Sequence, residues 1–256
     1  MSVQRQVILI LGKTGSGKST LAKRLIRKFP RIVVFDPLDE YPGDFICESV
    51  EDFAETVERE AESEKFVIVC RFKSDSVSVH AVMLQYETAA RIVKEVGDLL
   101  LVLEEAEMFI DSYDSDSAIN YLISFGRHKG ISILGIGRRP TELAVKLRAQ
   151  FTTFITFQQS EPRDLQYMTA LGFDAEEVEA LERFHFLMEG EPIEELAQES
   201  DNAPSDKRNV ATSMRVREQD IPENGDRELV SRSEYHVREL RDNVDRDQEG
   251  DTTDSS

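Results

Sequence analysis

The stretch GKTGSGKST, residues 12–20, follows directly on the apolar run Val7–Leu11. It matches the phosphate-loop pattern G-x-x-x-x-G-K-[ST] at Gly12, Gly17, Lys18 and Ser19. The loop lies between a predicted strand and a helix predicted to begin near Lys18, which is the context that the pattern requires. The sequence therefore predicts a P-loop fold that binds a nucleoside triphosphate, expected to be ATP with Mg²⁺.

The residue types in this loop suit the binding of phosphates. Glycines let the backbone turn tightly and direct its amides at phosphate oxygens, and the amino end of the following helix adds positive potential. We expect Lys18 to reach the β- and γ-phosphates, Ser19 to hold Mg²⁺, and Thr20 to lie near the α-phosphate. The residues predicted to surround the nucleotide are Gly12, Lys13, Thr14, Gly15, Ser16, Gly17, Lys18, Ser19 and Thr20.

Apolar runs alternate with amphipathic segments over the first 189 residues. The predicted strands are Val7–Leu11, Arg31–Phe35, Phe66–Phe72, Leu99–Leu103, Ile131–Ile136, Phe151–Phe157 and Phe184–Met188. The predicted helices are Lys18–Lys28, Val50–Ser63, Val77–Val96, Ser117–Lys129, Thr141–Gln150, Pro162–Leu171 and Ala175–Glu182. Alternating strands and helices, with strands that are apolar throughout, indicate an α/β fold whose mainly parallel central sheet is flanked by helices.

Two acids follow the apolar strand Leu99–Leu103. A carboxylate at the tip of a buried strand beside a phosphate loop can hold the water shell of Mg²⁺, and we assign this role to Glu104. The next residue, Glu105, is the predicted general base that takes a proton from an attacking water. Two predicted strands, Arg31–Phe35 and Phe66–Phe72, lie in sequence between the phosphate loop and the strand Leu99–Leu103, which leaves room for an inserted strand between the two sites in the sheet.

Composition excludes several classes of protein. The 256 residues include two cysteines, which excludes a disulfide framework, and no apolar run approaches the ~18 residues of a membrane span. The net charge of −19 excludes a basic face over the bulk of the surface. Residues 190–256 hold 19 acidic and 9 basic side chains and few large apolar ones. They predict an acidic, mostly disordered tail, dispensable for ATP hydrolysis, after an ATPase domain at 1–189.

Four stretches in this order resemble the HerA/FtsK superfamily of DNA-translocating ATPases. Besides the phosphate loop, these are VVFDPLDEY at Val33–Tyr41, VLEEAE at Val102–Glu107, and GRHKGISILGIGRRP at Gly126–Pro140. Glu104 stands where the superfamily commonly has aspartate. Glu107 stands where it often has histidine, and Arg138 stands where it usually has a glutamine sensor, which Arg139 would match after a shift of one residue.

The resemblance implies roles for several basic residues. Arg127 is the candidate arginine finger, which would reach the nucleotide of a neighbouring subunit in a hexameric or similar ring of identical chains. Candidates for contacts with double-stranded DNA near the strand ends are Arg71, Lys73, His128 and Lys129.

The short stretch before Gly12 favours a minimal motor, similar in size to the genome-packaging ATPases of tailless, membrane-containing double-stranded DNA viruses. Such a motor would act in the host cytoplasm or on the virion, with capsid or virion membrane proteins as partners. The acidic, arginine-rich composition suits a high-salt host. The alternatives are a cellular DNA-transfer or repair motor, a P-loop kinase or nucleotide-dependent regulator, and a nucleotide-binding module without catalysis.

Overall fold

The computed structural model describes residues 5–73, 78–110, 117–143, 148–193, 196 and 212–216. Nine strands of these residues form one sheet. The strands are β1 (Val7–Leu11), β2 (Arg31–Phe35), β3 (Phe45–Cys47), β4 (Phe66–Cys70), β5 (Leu100–Glu104), β6 (Ser132–Gly137), β7 (Thr153–Thr156), β8 (His185–Gly190) and β9 (Thr212–Arg215). The helices are α1 (Lys18–Ile26), α2 (Val50–Glu60), α3 (Val79–Val96), α4 (Ala118–Phe125), α5 (Pro162–Ala170) and α6 (Ala175–Ala180).

The order across the sheet is β3-β4-β2-β5-β6-β1-β7-β8-β9. The first seven strands in this order are parallel, while β7–β8 and β8–β9 pair antiparallel. The predicted α/β fold with a mainly parallel sheet is confirmed. We call the edge where the parallel strands end the carboxyl edge, and the edge where they begin the amino edge.

Helices cover both faces of the sheet, which explains why its central strands are apolar throughout. All five residues of β1 are buried: Leu9 belongs to the apolar core on one face and Ile10 to the core on the other. Leu21 of α1 packs into the core that contains Ile10, whereas Tyr86 of α3 packs into the opposite core. Side chains along a strand alternate between faces, so a strand covered on both must be continuously hydrophobic.

The inserted strand is β6, which lies between β1 and β5. It follows Glu104 in sequence, so neither of the strands predicted at Arg31–Phe35 and Phe66–Phe72 is the inserted one. The register pairs Leu11 with Gly137 and Glu104 with Ile136. The phosphate loop after β1 and the acids at the end of β5 therefore share the carboxyl edge, one strand apart.

Two strands were missed by the sequence analysis. β3 is three residues long, and β9 is mostly polar, so neither gives an apolar run. Strand β9 lies beyond the predicted domain boundary at residue 189 and pairs with β8. Four apolar residues after the boundary are buried in the core that contains Ile10: Ile193, Leu196, Met214 and Val216.

Other predicted features fall partly outside the described residues. The helix predicted at 141–150 includes 144–147, which are not described, and its start is a 3-10 turn at Pro140–Glu142. The rest of the predicted tail, 197–211 and 217–256, also lies outside the described residues. Within the part of the chain that the structure describes, no helix has the length and apolar character needed to cross a membrane.

Truncation tests the role of the last strand. A chain ended after Glu191 loses β9 and the four buried apolar side chains, each worth about 1.5–3 kcal/mol of burial. We expect that chain to unfold at a much lower temperature or to be insoluble, because domains are stable by only about 5–15 kcal/mol. A chain ended after Arg217 keeps β9 and should unfold near the temperature of the full chain. Equal unfolding temperatures for the two truncated chains, measured by circular dichroism, would show that β9 contributes no stability.

Candidate active site

The phosphate loop is shaped by glycines at positions that no side chain could occupy. A Cβ atom on Gly12 would lie 2.6 Å from Cβ of Phe157, so the residue that follows β7 packs directly against the loop. Gly17 has φ of 111°, and a Cβ there would lie 2.9 Å from the ring of Phe184. Left-handed backbone in such tight surroundings is available only to glycine. The loop therefore keeps the open turn that directs backbone amides at a phosphate.

Polar groups of the loop suit an anionic ligand. Lys18, the first residue of α1, donates from Nζ to the Lys13 carbonyl at 3.1 Å. The buried hydroxyl of Ser16 has no hydrogen-bond partner. Desolvation lowers the pKa of Lys18, and the carboxylates Glu104 and Glu105 oppose this shift. The loop residues Gly12–Thr20 and the Lys18 ammonium would hold the phosphates of ATP, as predicted from the sequence.

Glu104 lies where a hydrated Mg²⁺ would be held. Its Oε1 accepts a hydrogen bond from the Ser19 hydroxyl at 3.3 Å, and its Oε2 accepts one from the Tyr41 hydroxyl at 2.7 Å. Burial, followed by the charge of Glu40, raises the pKa of Glu104 well above its ordinary value, although Tyr41 and Lys18 oppose this. A hydroxyl and a carboxylate are oxygen ligands of the kind that Mg²⁺ prefers alongside phosphates and water.

The described residues contain no cluster of three or more His, Cys, Asp or Glu that could hold a metal by themselves. Mg²⁺ seldom has an all-protein cage and usually shares a few carboxylates with substrate phosphates. Ser19 and Glu104 therefore fit an ion that arrives with the nucleotide.

Tyr41 has a role that sequence reasoning did not assign. Its backbone N–H and that of Glu40 donate to the buried carboxylate of Asp36 at 3.0 and 2.9 Å. Arg71 also donates to Asp36, at 3.2 Å, and to the Tyr41 carbonyl at 2.5 Å. This network holds the Tyr41 hydroxyl against Glu104, so the segment Val33–Tyr41 contributes to the site through Tyr41. The sequence showed that Val33–Tyr41 resembles a segment of the superfamily, but the contact of Tyr41 with Glu104 depends on the fold.

Glu105 directly follows β5 in an unusual backbone conformation. Its φ of 55° and ψ of 59° are left-handed, which is costly for a residue other than glycine and is often found at functional sites. Its Oε2 lies 3.3 Å from Nε of Arg138 and has no hydrogen-bond partner. The same Nε lies 3.3 Å from Oε1 of Glu107. Glu105 is therefore a half-buried carboxylate whose Oε2 is enclosed beside Arg138.

Glu107 and Arg138, which stand where the superfamily often has histidine and usually has glutamine, contact each other. Glu107 accepts hydrogen bonds from the backbone and side chain of Arg138, both at 3.3 Å. Gln159, which is buried, donates to the Arg138 carbonyl at 3.0 Å. Arg139 instead pairs with the buried Asp164 of α5 at 2.7 Å. Of the two arginines considered for the sensor position, only Arg138 is thus in contact with the acids of the site.

Burial and the neighbouring Glu107 raise the pKa of Glu105 to about 7, and Arg138 and Lys18 oppose this rise. A base near neutrality is deprotonated above this pH, and kcat/KM reports on the free enzyme. We therefore expect kcat/KM for MgATP to fall about tenfold per pH unit below pH ~6.

The variant Glu107→Gln controls for titration of ATP itself. It removes a negative charge that raises the pKa of Glu105, so the acid limb should move to lower pH. An unchanged limb in Glu107→Gln, measured by steady-state ATP hydrolysis, would show that Glu105 is not the titrating base.

Arg127 does not lie in this site. It is an exposed residue of the 3-10 turn Gly126–Lys129, which precedes β6 at the amino edge of the sheet. Strand β6 rises about 16 Å from this turn to the carboxyl edge, at about 3.3 Å per residue. Its own nucleotide is thus out of reach, and any contact of Arg127 with a nucleotide must be made in another subunit.

Three of the other four basic candidates are engaged in pairs with acids, whereas His128 is exposed and its Nε2 accepts from Nε of Arg127 at 3.5 Å. Arg71 belongs to the Asp36–Tyr41 network and also pairs with Asp39 at 2.8 Å. Lys73 pairs with Glu48, and Lys129 lies 3.6 Å from Glu95. These pairs give no support to Arg71, Lys73 or Lys129 as dedicated contacts for DNA.

Comparison with known proteins agrees with this geometry. The family model described as an AAA domain matches residues 2–145. Curated proteins give no match. A solved structure of the genome packaging NTPase B204 from Sulfolobus turreted icosahedral virus 2, in complex with AMPPCP, is 20% identical with a TM-score of 0.54. The alignment covers 73% of this chain and 92% of that one.

A second similar structure is VirB4 of Thermoanaerobacter pseudethanolicus, which is 15% identical with a TM-score of 0.50. The alignment covers 71% of this chain and 86% of that one. Likeness at these identities concerns the fold. The P-loop ATPase fold that the sequence predicted is thereby confirmed.

Proposed function

The chain belongs to the AAA domain family of P-loop ATPases, and from this premise we propose that it translocates double-stranded DNA at the expense of ATP and packages a viral genome into a capsid. One observation carries the proposal. The phosphate loop, Glu104 and Glu105 converge at the carboxyl edge of a sheet in which β6 separates β1 from β5. This arrangement suits hydrolysis by water, because the carboxylate of Glu105 is close to Lys18, which would hold the γ-phosphate.

The chain's own residues have separate tasks in this proposal. Lys18 and the loop amides hold the phosphates, and Tyr41 and Ser19 orient the Glu104 carboxylate. Bound Mg²⁺ would neutralise phosphate charge between Ser19 and Glu104. Glu105 accepts the proton of the attacking water, with Arg138 limiting the movement of its carboxylate.

The proposal of a ring rests on Arg127. Because this arginine is exposed and at the edge opposite its own phosphate loop, it suits a site shared between subunits. An arginine supplied in trans would stabilise charge at the γ-phosphate and couple hydrolysis to assembly. The similar fold of a viral packaging NTPase supports packaging over the other uses of a DNA motor.

Stimulation of hydrolysis by DNA tests this function. We expect linear duplex DNA to raise steady-state ATP hydrolysis by the full-length protein several-fold, and the variant Lys18→Ala to be inactive with and without DNA. Hydrolysis at the same rate with and without duplex would count against a translocase. Transfer of the γ-phosphate to a small molecule rather than to water would favour a kinase.

A further inference from the structure

A groove runs along the amino edge of the sheet, on the side away from the phosphate loop. It lies between the carboxyl end of α1 and the first residues of β2 and β4, and it has a volume of about 600 Å³. Four cationic residues line it: Lys23, Arg27, Lys28 and Lys65. Among the residues that the structure describes, Asp44 is the one acid in its lining. Its described lining thus carries three more cationic than acidic side chains, which is unexpected in a chain of net charge −19.

The four cationic residues lie on two walls of the groove. Lys23, Arg27 and Lys28 belong to α1 or follow it directly, where positive charge also stabilises the carboxyl end of a helix. That stabilisation does not account for Lys65, which precedes β4 and faces the groove from the other wall. Asp44 has a structural task, because its Oδ2 accepts the backbone N–H of Val67 at 2.9 Å. The positive walls are therefore a property of the groove rather than of one helix end.

The lining between these walls is apolar. It includes Ile26, Phe29, Ile32 and Phe66. A nucleic-acid strand offers the matching chemistry, because its phosphates are anionic and its sugars present apolar edges. Lys23 and Arg27 are four residues apart on a helical path, about 6 Å along the axis at 1.5 Å per residue. Successive phosphates of one strand lie at a comparable separation.

We propose that this groove binds the sugar–phosphate backbone of double-stranded DNA. The inference rests on the proposed function, since it gives the motor a DNA-contacting surface. It assigns that contact to residues outside the hydrolysis site, at the opposite edge of the sheet. Backbone contacts of this type carry no base readout, which suits a motor that must move any sequence.

Charge reversal in the full-length protein tests the groove. Binding of a fluorescent 30-base-pair duplex is measured by anisotropy at several salt concentrations, with Lys28→Glu/Lys65→Glu compared to wild type. We expect at least ~10-fold weaker binding, and a slope of log K against log salt that is shallower by about 2, because each phosphate contact contributes about 0.9. ATP hydrolysis without DNA should be unchanged.

Two further variants make the result specific. Arg91→Glu/Arg163→Glu changes the total charge equally at two exposed positions outside the groove, and it should keep the wild-type slope. Lys65→Glu alone, at an exposed position, should reduce the slope by about 1 even if the double variant folds poorly.

The possible outcomes separate the two proposals. If the wild type binds duplex and the groove variants bind it equally well, the groove inference is overturned and the proposed function stands. Equal binding by the groove variants overturns the inference whether the groove is open or is filled by the acidic segment 217–256 of the chain. If the wild type binds no duplex at any salt concentration, the proposed function fails, and the groove inference fails with it.

Discussion

Replacement of Glu105 by glutamine should slow ATP hydrolysis at least ~100-fold while ATP still binds, since general-base catalysis contributes about 10²–10⁴ in rate. Glutamine keeps the size and the oxygen that faces Arg138, but it cannot take a proton from water at neutral pH. The left-handed backbone at Glu105 is unaffected by this change. Fluorescent-nucleotide binding and steady-state hydrolysis measure the two effects separately.

Glu104→Gln is the matched control. Glu104 lies one residue away and contacts Ser19 and Tyr41, so loss of its charge should raise the Mg²⁺ concentration needed for half-maximal hydrolysis as well as slow hydrolysis. If Glu104→Gln were more impaired in hydrolysis than Glu105→Gln and its Mg²⁺ dependence were normal, the two roles would be reversed.

Arg127→Ala should reduce hydrolysis by about 10³–10⁵, the range for arginine fingers. Arg127 lies at the amino edge, exposed, while the nucleotide site of its own subunit lies at the carboxyl edge. The variant should therefore assemble and bind ATP normally, because nothing in its own site has changed. Size-exclusion chromatography and nucleotide binding check these two conditions.

A mixing experiment then distinguishes action in trans from a structural role. Arg127→Ala and Glu105→Gln subunits are each nearly inactive alone. In mixed rings, some sites combine an intact Glu105 with an intact Arg127 from the neighbour, and partial activity should return. If the two variants co-assemble and no activity returns, Arg127 is not the finger. Arg138, Arg139 and Arg148 would be the next candidates, although each is engaged within its own chain.

The sequence predicted the parts of the site that are close together along the chain. Gly12–Thr20 and the pair Glu104–Glu105 each combine a local pattern with an apolar strand, and strand direction brings them to one edge. Contacts between distant segments were not predictable in the same way. Tyr41 reaches Glu104 across 63 positions, and Glu107 reaches Arg138 across 31. Each depends on which strands become neighbours in the sheet.

The sequence did not predict strand β9, for a different reason. β9 contains one large apolar residue, Met214, and it follows a stretch rich in acids. Its stability comes from pairing with β8 and from burial beside Phe184 and Phe186, none of which periodicity in the segment itself reveals. Backbone hydrogen bonds to an existing edge strand allow even a polar segment to join a sheet.

Displacement of a third strand from duplex DNA is the measurement that tests translocation most directly. A fluorescent triplex-forming oligonucleotide is bound at one end of a linear duplex, and its release is followed after addition of protein and ATP. The account predicts ATP-dependent release by the wild type, with a lag that grows with the length of duplex, and no release by Glu105→Gln. A triplex that remains bound while the wild type hydrolyses ATP on the same DNA would contradict the account.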